Sequence, residues 1–125
     1  MNFLNKIEKY SSNTCLIDKN KKIFLYKDVL ENGEKITRNL EERSLILVLA
    51  QNHVEFITSY IGFFRKGLVQ MLVDPKIEIN FLKDLIEDYL PNYIFLPTSK
   101  NINIKNYDLF FELKNHKILK SRKKV

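Results

Sequence analysis

Seven consecutive residues without a charge, Ser44-Leu45-Ile46-Leu47-Val48-Leu49-Ala50, constrain this chain more than any other stretch. A strand with one wet face alternates apolar and polar side chains, and this run cannot. It must be covered on both faces, as strands of a parallel sheet are. The residues after it have the pattern of a crossover helix. Val54, Ile57, Ile61 and Phe64 recur at helical spacing, with Phe56, Tyr60 and Phe63 widening the apolar face. Asn52 is placed to cap this helix, with Glu55 three residues on reaching back as in a capping box, and the helix is predicted to start at His53. Gly67 stops it. Leu68-Val69-Gln70-Met71-Leu72-Val73 is then a second strand, ended by Asp74-Pro75.

The pattern continues in both directions. Downstream, Asn80 starts a helix carrying Leu82, Leu85, Ile86 and Tyr89 opposite Lys83, Asp84, Glu87 and Asp88. Pro91 ends it, and Tyr93-Ile94-Phe95-Leu96 is a third strand. Strand–helix–strand–helix–strand with right-handed crossovers predicts three parallel strands in one sheet. Upstream, residues 1–13 read as a short amphipathic helix ending at Ser11-Ser12-Asn13. Cys15-Leu16-Ile17 and Ile23-Phe24-Leu25 flank a charged turn, Asp18 to Lys22, and predict a hairpin. A helix capped by Asp28 and carrying Val29, Leu30, Ile36 and Leu40 comes next, weakened by Gly33. Beyond Thr98–Asn106, a loop or edge strand, Leu109, Phe111 and Leu113 face Ile118-Leu119 across a polar turn, a second hairpin. The fold class expected is α/β: a mostly parallel βαβαβ sheet with helices on both faces, flanked by an N-terminal and a C-terminal β-hairpin, and only part of a domain. The divisions expected are residues 1–113 as an incomplete N-terminal subdomain and 114–125 as a basic tail, ordered in part as a hairpin at most.

Charge narrows the function classes. The net charge of +6 comes from 21 basic and 15 acidic residues. Lys114, Lys117, Lys120, Arg122, Lys123 and Lys124 lie in the last twelve positions, and without them 15 basic residues face 15 acidic ones. The body is neutral, so no nucleic-acid partner is expected. One cysteine, Cys15, excludes an internal disulfide and a cysteine-based zinc site, which fits a reducing, cytoplasmic setting. As a nucleophile it has no base at an interpretable spacing, neither His53 nor His116. No run approaches the ~18 apolar residues of a membrane span.

The usual catalytic patterns are missing. Gly62 and Gly67 have the spacing of a phosphate loop, but such a loop runs from strand into helix and has Lys and Ser/Thr after its second glycine. Here Leu68 and Val69 come next, and the order is helix into strand. Gly62 is therefore expected to serve close packing. Glu41-Glu42 and Glu87-Asp88 lie on polar helix faces, and His53 at a helix N-terminus has no partner in sequence that would make it catalytic. No metal-ligand spacing, serine elbow or dinucleotide fingerprint occurs.

Taken together, residues 15–96 resemble the amino-terminal part of the AMP-forming adenylate-forming enzymes: acyl-CoA synthetases, adenylation domains of peptide synthetases, and luciferases. Leu16-Ile17-Asp18 with Lys22-Ile23-Phe24-Leu25-Tyr26-Lys27-Asp28-Val29 is similar to that family's opening hairpin and its Thr-Tyr-x-Glu-Leu helix start, with Leu25 for Thr and Asp28 for Glu. Ser44 to Leu49, then Asn52, Glu55, Tyr60-Ile61-Gly62, Gly67, Val69 and Asp74-Pro75, resemble its strand, Asn-x-x-Glu helix, Leu-Gly pair, Ala-Gly-x-Val strand and terminal Pro, with Lys66 for the alanine. Leu82, Leu85, Ile86, Pro91 and Tyr93-Ile94-Phe95 match the next helix and strand.

The resemblance implies an ATP-dependent, AMP-forming acid–thiol ligase that activates a carboxylate as acyl-adenylate with Mg·ATP. It also implies that the ATP-handling parts are elsewhere. The family's Ser/Thr/Gly-rich loop ending in Pro-Lys-Gly, its adenine- and magnesium-binding segments and its C-terminal lysine have no counterpart here, and Val125 falls about where that loop would approach. No catalytic, cofactor-binding or metal-binding residue is therefore assigned, and ATP and Mg are expected only of a full-length enzyme. The expected partner is the remainder of such an enzyme, or a second copy through exposed sheet edges. Two other readings stay open: a non-catalytic α/β module that pairs with another polypeptide, and a small flavodoxin-like binding domain outside the family.

Overall fold

The computed structural model describes residues 14–17, 21–51 and 53–122. The helix expected over residues 1–13, the middle of the first hairpin's turn, Asn52, Lys123 and Lys124 lie outside the described residues. Two compact units form: Met1–Glu42 with Asn52–Gly67, and Arg43–Gln51 with Leu68–Val125.

In the first unit β1 (Thr14–Ile17) pairs antiparallel with β2 (Ile23–Leu25), the hairpin that the two apolar runs predict. Cys15 lies on β1. Helix α1 (Tyr26–Thr37) starts directly from β2, earlier than Asp28 as a cap would have it. Leu25 holds the cap position in extended conformation, and its N–H donates to Asp28 Oδ2 at 3.0 Å, so Asp28 is the third residue of the helix and supplies the returning half of a capping box. Helix α2 (Val54–Lys66) lies against α1, with Leu30 packed among Tyr26, Ile61 and Phe64.

The two helices meet at glycines. A Cβ on Gly62 would stand 2.8 Å from Gly33 O and 3.0 Å from Gly33 Cα, so the backbones touch where neither residue has a side chain. Gly33, which sequence alone marks as a weak point, is thus one half of the contact. Gly67 ends α2 in the left-handed region at φ 83°, its N–H donating to Phe64 O at 3.1 Å.

The second unit is a five-stranded sheet in the order β4-β3-β5-β7-β6, formed by β3 (Leu45–Leu49), β4 (Val69–Val73), β5 (Tyr93–Pro97), β6 (Tyr107–Glu112) and β7 (His116–Ser121). β3 pairs parallel with both β4 and β5, as the repeated strand–helix pattern predicts. β7 pairs antiparallel with β5 and β6. The second hairpin is therefore continuous with the main sheet, which is mixed. Its return strand is interior, and the basic stretch beginning at Lys114 enters the sheet, with Ile118 fully buried between Lys117 and Lys120.

Ile46, Leu47, Val48 and Leu49 are all fully buried, which is the consequence of an uncharged run that has no wet face. On one face Leu47, Leu49, Ile94, Leu96 and Leu119 meet Leu82 and Ile86 of α3 (Ile79–Tyr89), with Ile102 and Ile104 of the following loop closing the cluster. Each fully buried leucine or isoleucine contributes roughly 1.5–3 kcal/mol by leaving water. Glu78, ahead of Asn80, caps α3 by accepting the N–H groups of Asn80 and Phe81 at 3.1 and 3.3 Å. Leu90 in left-handed conformation closes it before Pro91.

Candidate functional site

The glycines that mimic a phosphate loop hold no anion cradle. Gly62 is in mid-helix against Gly33, and the Gly67 N–H is committed to the helix it ends. His53 is the N-cap of α2: the Glu55 N–H donates to its Nδ1 at 3.0 Å. The cap thus falls one residue after Asn52, and the histidine that holds a position sometimes used in catalysis has a structural task. Glu87 and Asp88 are exposed on the solvent face of α3, whereas Glu41 and Glu42, expected on a helix face, are exposed beyond the end of α1 at Thr37. Among the described residues no three His, Cys, Asp or Glu side chains come together as a metal site.

The polar groups that the fold does bring together are ones that spacing in sequence does not reveal. Asn92 joins three strands, at the amino ends of β3 and β5 and the carboxyl end of the antiparallel β7. Its N–H donates to Leu45 O at 2.8 Å, its Oδ1 accepts from Leu45 N–H at 2.9 Å, and its carbonyl accepts from Ser121 N–H at 2.9 Å. At the opposite ends His116 is fully buried, stacked on Phe95 with centroids 4.7 Å apart and planes within 6°, its Nε2 3.1 Å from Gln51 Oε1. The register sets this up, since His116 pairs with Pro97 and Ile118 with Phe95, on one face of neighbouring strands. The alternation His116, Ile118 is the signal for an inward histidine.

Near the carboxyl end of β4 there is an open groove of about 500 Å³, lined by Met71, Leu72, Val73, Asp74, Lys76, Ile77 and Leu85. Its walls are mostly apolar. Asp74 is engaged locally, its Oδ1 accepting the Lys76 N–H at 2.8 Å, and Lys100 Nζ donates to the neighbouring Pro75 carbonyl. Such a groove can shelter apolar groups, but it presents no nucleophile, paired acid and base, or anion-binding loop.

Three groups near the end of the sheet have shifted titration. Burial pushes the Tyr107 hydroxyl above its usual 10.0, partly opposed by a hydrogen bond with Ser121. The Arg122 guanidinium, hydrogen-bonded to Asp108 at 2.7 and 2.8 Å, holds that carboxyl below the usual range and is itself shifted up. That pair is exposed, so it contributes little to stability.

No family model matches the chain. Over 75 residues it is 32% identical to 4-coumarate–CoA ligase 2 of Nicotiana tabacum, a match that takes in 55% of this chain and 14% of that protein. Its fold is shared with the luciferase-like enzyme of the nonluminescent mealworm Zophobas morio, at a TM-score of 0.64 and 20% identity over 73% of this chain and 23% of that one. It is shared equally with the N-terminal subdomain of Klebsiella oxytoca NpsA in complex with 3-hydroxyanthranilyl-AMSN, at a TM-score of 0.64 and 12% identity over 74% and 25% of the two chains. At those identities the likeness is one of fold alone, and the chain spans a quarter or less of each of these proteins. The sequence match to a CoA ligase and the shared fold agree: the chain is similar to part of the N-terminal subdomain of AMP-forming adenylate-forming enzymes.

Proposed function

We propose that this chain is the N-terminal portion of an AMP-forming carboxylic acid–thiol ligase, and that it is the scaffold of such an enzyme rather than a catalyst in itself. The carrying observation is the 32% identity to a CoA ligase, joined to a fold in which β3, β4 and β5 run parallel in one sheet, as the sequence predicts. The side chains brought together support the same reading. His116 with Gln51, Asn92 with Leu45, and Gly33 with Gly62 are all packing and pairing devices. A cytoplasmic setting fits an ATP-dependent ligase with one cysteine. Among the described residues no helix is long and apolar enough to cross a membrane.

The test is ATP–pyrophosphate exchange with the purified chain over a panel of aromatic and aliphatic carboxylic acids. Exchange at the no-protein background is expected, and robust exchange overturns the scaffold reading. The coding sequence beyond Val125 tests the family assignment separately: a Ser/Thr/Gly-rich loop ending in Pro-Lys-Gly within the next stretch supports it.

One observation favours the related reading of a module that pairs with another polypeptide or with a second copy. The β4 edge carries no charge from Val69 to Val73, and Val69 and Leu72 are more than half exposed. Exposed edges of this composition join other strands unless covered.

A further inference from the structure

We draw no further inference here: the strongest candidate, the open apolar groove between edge strand β4 and helix α3 lined by Met71, Leu72, Ile77 and Leu85, carries nothing because nothing in the structure shows what covers it.

Discussion

Replacing Gly62 with alanine tests the contact between α1 and α2 directly, because two effects of known size oppose each other there. In an exposed helix, Gly→Ala is stabilising by about 1 kcal/mol, mostly through the unfolded chain. At Gly62 the new methyl would lie 2.8 Å from Gly33 O, 3.0 Å from Gly33 Cα and 3.1 Å from Gly33 C. All three are backbone atoms of another helix, so no flexible side chain can swing away, and α1 must shift or tilt. Gly33 O also accepts the buried Thr37 Oγ1–H bond at 3.0 Å, which that shift would strain. Overpacking costs about 1–3 kcal/mol, and a clash with backbone alone belongs in the upper half of that range, about 2–3 kcal/mol, so after the gain of about 1 kcal/mol the net expectation for Gly62→Ala is a loss of about 1–2 kcal/mol. Gly33→Ala is the internal comparison. Its methyl would meet Gly62 Cα and Thr58 O at 3.2 Å, a contact relieved by a few tenths of an ångström. There the gain and the cost nearly cancel, and the change should stay within about 1 kcal/mol. Urea denaturation followed by far-UV circular dichroism reads both, with the slope m checked for constancy. Thermal melting should show Gly62→Ala lower by roughly 4 °C per kcal/mol. If Gly62→Ala is as stable as the parent or more so at unchanged m, helix propensity governs that site and the helices are not in backbone contact.

Other expectations concern the second unit. Asn92→Ala removes the acceptor of the Leu45 N–H where β3 and β5 begin, and leaving that donor unsatisfied should cost about 1–3 kcal/mol in the same urea titration, whereas Asn92→Asp, which keeps an acceptor, should recover much of it. Tyr107 contributes a pH dependence of definite sign: its folded-state pKa is raised by burial, so its stabilisation is complete below pH 10, the ordinary tyrosine value, and is lost as pH rises through the folded value. Tyr107→Phe should flatten that alkaline limb while costing about 1 kcal/mol at neutral pH, because the hydroxyl no longer donates to the Pro91 carbonyl; an unchanged limb would assign the alkaline loss to another group. Leu72→Lys puts a charge at a half-exposed position of β4 and should shift the chain toward monomer in size-exclusion chromatography with little change in stability; a parent chain that is already monomeric at all concentrations removes the argument for a sticky edge.

The two edges of the sheet differ in a way that bears on Leu72→Lys. β6 carries Asp108 and Glu112, its register shifts between Leu109 and Phe111, and Arg122 forks onto Asp108 at its rim. Charges and bulges are the features that keep an edge from accepting another strand. β4 has neither: its five residues are uncharged and pair with β3 without a break. Whatever pairs with this chain by strand addition should therefore use β4, and a charge placed on β6 should leave self-association unchanged.

Which parts of this architecture can be read from sequence depends on the range over which each is decided. The β3 run, the two crossover helices and the parallel direction of β3, β4 and β5 are legible because burial on both faces and helical period are written in consecutive residues. The helix caps are legible only to within a residue or two. Asn52, Asp28 and Asn80 all have good capping chemistry, yet the position is decided by which residue is the last in extended conformation before the helix, and that is His53 for α2, Leu25 for α1 and Glu78 for α3. The return strand of the second hairpin is legible, with His116 and Ile118 alternating along it, but its placement between β5 and β6 is not. Lys117 and Lys120 mark the segment as solvated, and only its partner, β5, with Phe95 opposite Ile118 and Pro97 opposite His116, makes Ile118 and His116 interior. Gly33 is the sharpest case. Propensity counts it as a defect of α1, but its value depends on a residue 29 positions away, Gly62, whose backbone needs the space that a side chain would fill. Local sequence states what an element is, while its cost or benefit is decided by the surface it meets.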